Sequence, residues 1–207
     1  MHLDLSAPLP ILLAGAVSML VAVLLVSTQS LHAHLTMDSA VGVQKVHTHP
    51  TPRVGGIAIV CGVITGYLLA HPERRAILGP LILAGIPAFA FGLLEDLTKR
   101  VSVRTRLLAT MACGVLGWAV TGQALTAIDV PVVDSLLSYT PAAVLFTAFA
   151  VGGVANAINI IDGFNGLAAG TVIIILAGMA GLAAQAGDTD LAFTCLILSG
   201  AVVGFGL

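Results

Sequence analysis

The chain has 207 residues; 58% are apolar and only 9% are charged, with eight Lys and Arg against ten Asp and Glu and a mean hydropathy of +1.07. A soluble domain is about 25% charged, so this balance excludes a soluble globular enzyme, a disordered chain and a nucleic-acid-binding module. Three cysteines, each inside an apolar run (Cys61, Cys113 and Cys195), exclude a disulfide scaffold as well, and what remains is a polytopic membrane protein.

A membrane-spanning helix needs roughly 20 predominantly apolar residues. Seven runs meet that need: residues 9–26, 54–70, 77–94, 107–125, 141–155, 167–185 and 191–207. None alternates apolar and polar residues as the strands of a membrane barrel do. The first lacks the basic flank and small-residue cleavage site of a removable signal peptide. The expected fold is therefore all-α: a polytopic membrane bundle of about seven transmembrane helices, forming one transmembrane domain over residues 1–207.

The polar links set the orientation. Lys45 and Arg53 follow the first run, and Lys99, Arg100, Arg104 and Arg106 follow the third; Arg74 and Arg75 follow the second. Alternating sides puts six basic residues on one face and two on the other. The positive-inside rule then places links 27–53, 95–106 and 156–166 in the cytoplasm and the N-terminus outside. The links richest in reactive side chains thus fall on one side, where they can converge into one site.

The first of these links holds His47, His49, Pro50, Pro52, Arg53, Gly55 and Gly56. Two prolines at i, i+2 stiffen the segment. Arg53 stands at the membrane edge beside two glycines that let backbone approach a ligand, and its guanidinium suits phosphate oxygens, either of a substrate or of lipid headgroups. His47 and His49 do not have the spacing of a helical zinc pair.

The second link opens on Glu95 and Asp96, followed at i, i+4 by Lys99 and Arg100. Two helical salt bridges would account for this pattern. Against that, the acids lie at the C-terminal end of their run, where the helix dipole disfavours negative charge. Adjacent carboxylates at a membrane boundary make better sense where a cation or a proton is shared.

In the third link, Asn156, Asn159 and Asp162 fall within about 120° of one face if the segment is helical. An Asp at a helix centre in the bilayer costs about 2.5–3.5 kcal/mol, so such residues are functional candidates by default. Gly163 and Gly166 break the run. Asn165 then serves either as N-cap of a helix starting near Leu167 or as a polar group beside a helix N-terminus that suits phosphate. An arginine, an acid pair, a third acid and two asparagines at one face suit a magnesium-bound phosphate ester. A transporter would also place acids and broken helices in the membrane, but near mid-span rather than between spans.

The strings HPTPRVGG (49–56), FGLLEDL (91–97) with VSVRTRLL (101–108), and NAINIIDGFNGLAAG (156–170) resemble, in order and spacing, the polyprenyl-phosphate N-acetylhexosamine-1-phosphate transferases, the MraY/WecA group of glycosyltransferase family 4. The resemblance implies transfer of a HexNAc-1-phosphate from a UDP-sugar to undecaprenyl phosphate, with release of UMP. It implies Mg2+ as cofactor, with Mn2+ as the alternative, and a multi-pass enzyme of the bacterial cytoplasmic membrane that starts a cell-envelope polysaccharide. It leaves a homodimer open. The basic HPTPR form looks more like the GlcNAc branch than the MurNAc-pentapeptide branch.

Carried onto matching positions, the resemblance makes Glu95, Asp96 and Asp162 the catalytic candidates, with Asp96 and Asp162 as metal ligands. It makes His49, Arg53, Asn156, Asn159 and Asn165 substrate-binding candidates. Two positions depart from the family pattern: Glu95 stands where Asp is usual, and Asn165 where a second acid is usual. The chain also stops inside an apolar run, before the family's further metal-binding Asp and His-bearing loops. On this reading it is the N-terminal part of a larger fold and is expected to be inactive alone.

Overall fold

A computed structural model describes residues 8–28, 55–161 and 166–206. Among them are eight helices and no strand: α1 (Leu9–Ser27), α2 (Gly55–Leu69), α3 (Pro72–Thr98), α4 (Val103–Thr121), α5 (Pro131–Leu137), α6 (Thr140–Ile161), α7 (Leu167–Gln185) and α8 (Thr189–Gly206). Six of them are long and apolar enough to cross a membrane; α2, with 15 residues, is apolar but shorter, and α5 has seven. The protein is a multi-pass helical membrane bundle.

The expected spans all coincide with helices, but several helices outrun them. Helix α3 takes in most of the link expected at 71–76 and also Glu95 and Asp96. Helix α6, expected to stop at Ala155, continues through Asn156 and Asn159 to Ile161. The reason is local: polarity does not end a helix, whereas capping and backbone conformation do. Pro72 starts α3 with its fixed φ, and Glu73 meets the positive end of the dipole. Lys99, at φ 55°, ends α3 in the left-handed region, its N–H donating to the Glu95 carbonyl at 2.7 Å. Helix α4 starts at Val103 because the Ser102 hydroxyl accepts the Thr105 N–H at 3.1 Å. It ends before Gly122, whose φ of 71° a side chain would resist. The capping position of α7 is held by Gly166, with no side-chain cap, rather than by Asn165, which lies outside the described residues.

The chain packs as two compact units, one comprising residues up to Leu78 together with those from Ile161 onward, the other Gly79–Ile160. The first unit is held by small residues, as bundles in lipid are. A Cβ on Gly62 would come 2.6 Å from the Ala14 carbonyl oxygen and 3.0 Å from Ser18 Cβ; one on Gly200 would come 2.7 Å from the Ile11 carbonyl oxygen. Ala14, Ala58, Ile197 and Ala201 are fully buried. Gly15 meets Gly200 and Gly204, and Ile11 meets Gly200, so α1 and α8 run parallel; Gly55, Gly62 and Gly66 meet Phe205, Ala201 and Ile197, so α2 runs antiparallel to α8.

At the rim of this unit Arg74 is buried. Its Nε donates to Asp190 Oδ1 at 3.3 Å and its guanidinium stacks 4.0 Å from the Phe193 ring centroid. Arg75 donates to the Leu68 carbonyl. These two arginines, which opposed the expected orientation, thus tie α3 to its neighbours.

In the second unit the pairs again run antiparallel. Gly117 meets Ala84, and Arg106 meets Glu95, setting α4 against α3. Gly114 meets Ala148, and Gly152 meets Met111 and Leu107, setting α4 against α6. The ends of α3 and α6 and the start of α4 therefore lie at one end of this unit.

Candidate functional site

That end of the second unit holds several of the polar residues singled out in the sequence. Glu95 and Asp96 occupy the last turn of α3, both half-buried. The turn through Lys99 and the cap at Ser102 fold α4 back, so that Arg106 reaches Glu95: its Nη1 donates to Oε1 at 3.0 Å and to Oε2 at 2.9 Å. Glu95 thus has a partner that i, i+4 spacing does not supply. Lys99 and Arg100 lie beyond the end of α3, and the partner of Glu95 seen here comes from the next helix. In the sequence Arg106 stands in the VSVRTRLL string and among the basic residues of its link, without a role of its own. The signal for its role is its place four residues after a Ser N-cap, across a short turn from Glu95.

Helix α6 brings the asparagines to the same end. Gly152 faces Leu107 and Met111, so Asn156, one turn further on, comes level with the start of α4. Asn156 is half-buried and Asn159 exposed, three residues apart on one face of the helix. Glu95, Asp96, Asn156 and Asn159 thus lie toward the same end of this unit, as does Arg106. His49, Arg53, Asp162 and Asn165 lie outside the described residues.

Among the described residues no group of three or more His, Cys, Asp and Glu side chains gathers into a metal cage. With Glu95 held by Arg106, Asp96 is the second carboxylate at this end. Magnesium usually takes one or two carboxylates and completes its shell with water and substrate phosphates. The Asp96 carboxylate, a hard oxygen donor, fits such an ion.

Comparison with known proteins gives this arrangement a family. The model of glycosyl transferase family 4 matches residues 78–207, more than half of the chain, and that stretch contains Glu95, Asp96, Arg106, Asn156, Asn159 and Asp162. The chain belongs to glycosyl transferase family 4.

Curated family 4 relatives share its sequence over much of its length. The decaprenyl-phosphate N-acetylglucosaminephosphotransferase of Mycolicibacterium smegmatis is 31% identical, over 77% of this chain and 43% of its own. The phospho-N-acetylmuramoyl-pentapeptide-transferase of Synechococcus sp. (strain RCC307) is 33% identical, over 95% of this chain and 58% of its own. A Bacillus subtilis (strain 168) protein named "probable undecaprenyl-phosphate N-acetylglucosaminyl 1-phosphate transferase" is 28% identical, over 78% of this chain and 45% of its own. The chain spans about half the length of the curated relatives it matches. As a family 4 membrane protein it therefore presents, at one end of a helical unit, an acid pair, an arginine and two asparagines.

Proposed function

We propose that this protein transfers a HexNAc-1-phosphate, with GlcNAc as the sugar, from a UDP-sugar to undecaprenyl phosphate at the cytoplasmic face of the bacterial inner membrane, releasing UMP and starting a cell-envelope polysaccharide. The relatives' names support phospho-sugar transfer to a polyprenyl phosphate. The observation that carries the reading is the placement of Glu95, Asp96, Arg106, Asn156 and Asn159 toward one end of a membrane unit, with Asp162 next in sequence. Carboxylates and amides packed at the end of apolar helices are costly, and a charged phosphate substrate gives them a purpose.

The chemistry favours direct transfer. A phosphate monoester has a second pKa near 6, so the lipid phosphate is largely dianionic at neutral pH and needs little help from a general base. One of its oxygens attacks the β-phosphorus of the UDP-sugar. The new P–O bond forms as the bond to the bridging oxygen breaks; UMP leaves with that oxygen and the sugar keeps its phosphate. Asp96 orients the phosphates and, with Asp162, would hold magnesium, which supplies charge neutralisation on the diphosphate when bound. The amides of Asn156 and Asn159 offer hydrogen bonds to the nucleotide sugar, Asn165 lies beside them in sequence, and His49 and Arg53 serve the substrate phosphates. Glu95 is held by Arg106, which keeps the end of α3 in place.

The test is UMP release in membranes carrying the protein expressed from its whole gene. Release should require both polyprenyl phosphate and magnesium. Asp96→Asn and Asp162→Asn should each lower kcat/KM by more than about 100-fold, about 2.7 kcal/mol of transition-state stabilisation. Near-normal turnover in Asp162→Asn would remove that residue from the reaction, and solute flux without UMP release would replace the transferase with a transporter.

A further inference from the structure

The link between α4 and α6 reads in the sequence as an acidic loop, yet it is not built like one that faces water. Leaving α4, the chain folds back along α6: the Leu125 N–H donates to Thr147 Oγ1 at 2.8 Å. Thr147 stands seven residues into α6, roughly 10 Å along its axis at 1.5 Å per residue. On either side of that level α6 presents Leu145 and Phe149 outward, an apolar surface that on a spanning helix suits lipid. The link is therefore held at a depth that lipid reaches.

Its own bonds keep it there. Asp129, at φ 61°, turns the chain, and Asp134 Oδ1 accepts the Ile128 N–H at 2.8 Å, so one of the link's two acids is engaged within it. Leu137, 2% exposed, pins α5 to the unit, while Val132 is 80% exposed, Leu136 62% and Tyr139 66%. Val132 and Leu136 stand at i, i+4 on one side of the short helix, and Tyr139 follows two residues past its end. No Lys or Arg lies between Gly122 and Thr140, so attraction to anionic headgroups has nothing to act through, and the match is to apolar interface.

We propose that residues 123–139 form a membrane-interface anchor, with Val132, Leu136 and Tyr139 seated among the headgroups and outer acyl chains beside α6. The partner is the lipid surface itself, whatever its headgroup charge.

Trp118 is the chain's one tryptophan, which makes fluorescence a direct probe. In a Trp118→Phe background, Val132→Trp and, as the milder change, Tyr139→Trp are placed in phosphatidylcholine vesicles with chain-brominated lipid. Each should lose about two-fold in intensity, more with bromine near the headgroup than near the chain end, as an interfacial side chain 5–10 Å deep requires. Aqueous iodide should quench little, and added phosphatidylglycerol should change nothing. Strong iodide quenching with no bromolipid effect would show a water-facing loop. Quenching by neither would show protein cover, from a second copy or another segment. Either result overturns the anchor.

Discussion

Glu95 stands at the end of a helix whose dipole opposes its charge, and Arg106 near the start of one whose dipole opposes the guanidinium. Each is badly placed alone, and joined they cancel each other's penalty. Both side chains keep about a quarter of their surface exposed, 27% and 26%, so the pair contributes about 0.5–1 kcal/mol rather than several. A double-mutant cycle with Glu95→Gln and Arg106→Gln, followed by thermal unfolding in detergent, should show coupling of that size; strictly additive losses would mean that the contact does not act as a pair. The acids were legible in sequence because two adjacent carboxylates interrupt an apolar run. Their partner was not, because the link between position 95 and position 106 depends on a left-handed Lys99 and a Ser102 cap, which set the direction of α4 and which no periodicity reports.

Helix contacts in this protein are made through missing side chains. A Cβ on Gly114 would meet Ala148 Cα at 2.6 Å and Ala148 N at 3.0 Å, backbone that cannot step aside; a Cβ on Gly85 meets nothing within 4 Å. Gly114→Ala should therefore cost about 1–3 kcal/mol through overpacking, while Gly85→Ala should be neutral or gain up to about 1 kcal/mol of helix propensity. Melting temperatures of the two variants in one detergent decide this, and equal values would show that α4 and α6 do not pack as described. The same contacts bear on which helices cross. With α4 antiparallel to α6, α5 cannot span between them. With α1 parallel to α8, an odd number of crossings separates them, and α2, α3, α4, α6 and α7 supply it only if the short α2 crosses too.

For the whole molecule the basic residues and their partners bear on which face is which. The basic residues favour a cytoplasmic 95–106 link by six to two, and the two exceptions carry little orienting weight. Arg74 is neutralised by Asp190 and stacked on Phe193, and Arg75 is spent on the Leu68 carbonyl. With Cys61, Cys113 and Cys195 changed to alanine, Arg100→Cys should react with an impermeant maleimide only after cells are opened. Ala186→Cys, in the exposed turn between α7 and α8, should react in intact cells. The reverse pattern would invert the proposed topology and place the acid pair on the wrong side for a cytoplasmic nucleotide sugar.

The sequence by itself determined the class and where the apolar runs fall, because burying backbone in lipid demands long apolar runs that composition alone displays. It also marked Glu95, Asp96, Asn156 and Asn159 as candidates, because polar side chains are expensive beside apolar helices and expense is visible one residue at a time. The tertiary structure decided what depends on contacts between distant segments. It carried α3 and α6 past the polar residues expected to end them, because caps and φ rather than polarity stop a helix. It gave Glu95 to Arg106, and it folded an acidic-looking link against α6, because hydrogen bonds such as Leu125 to Thr147 join positions that no local pattern connects.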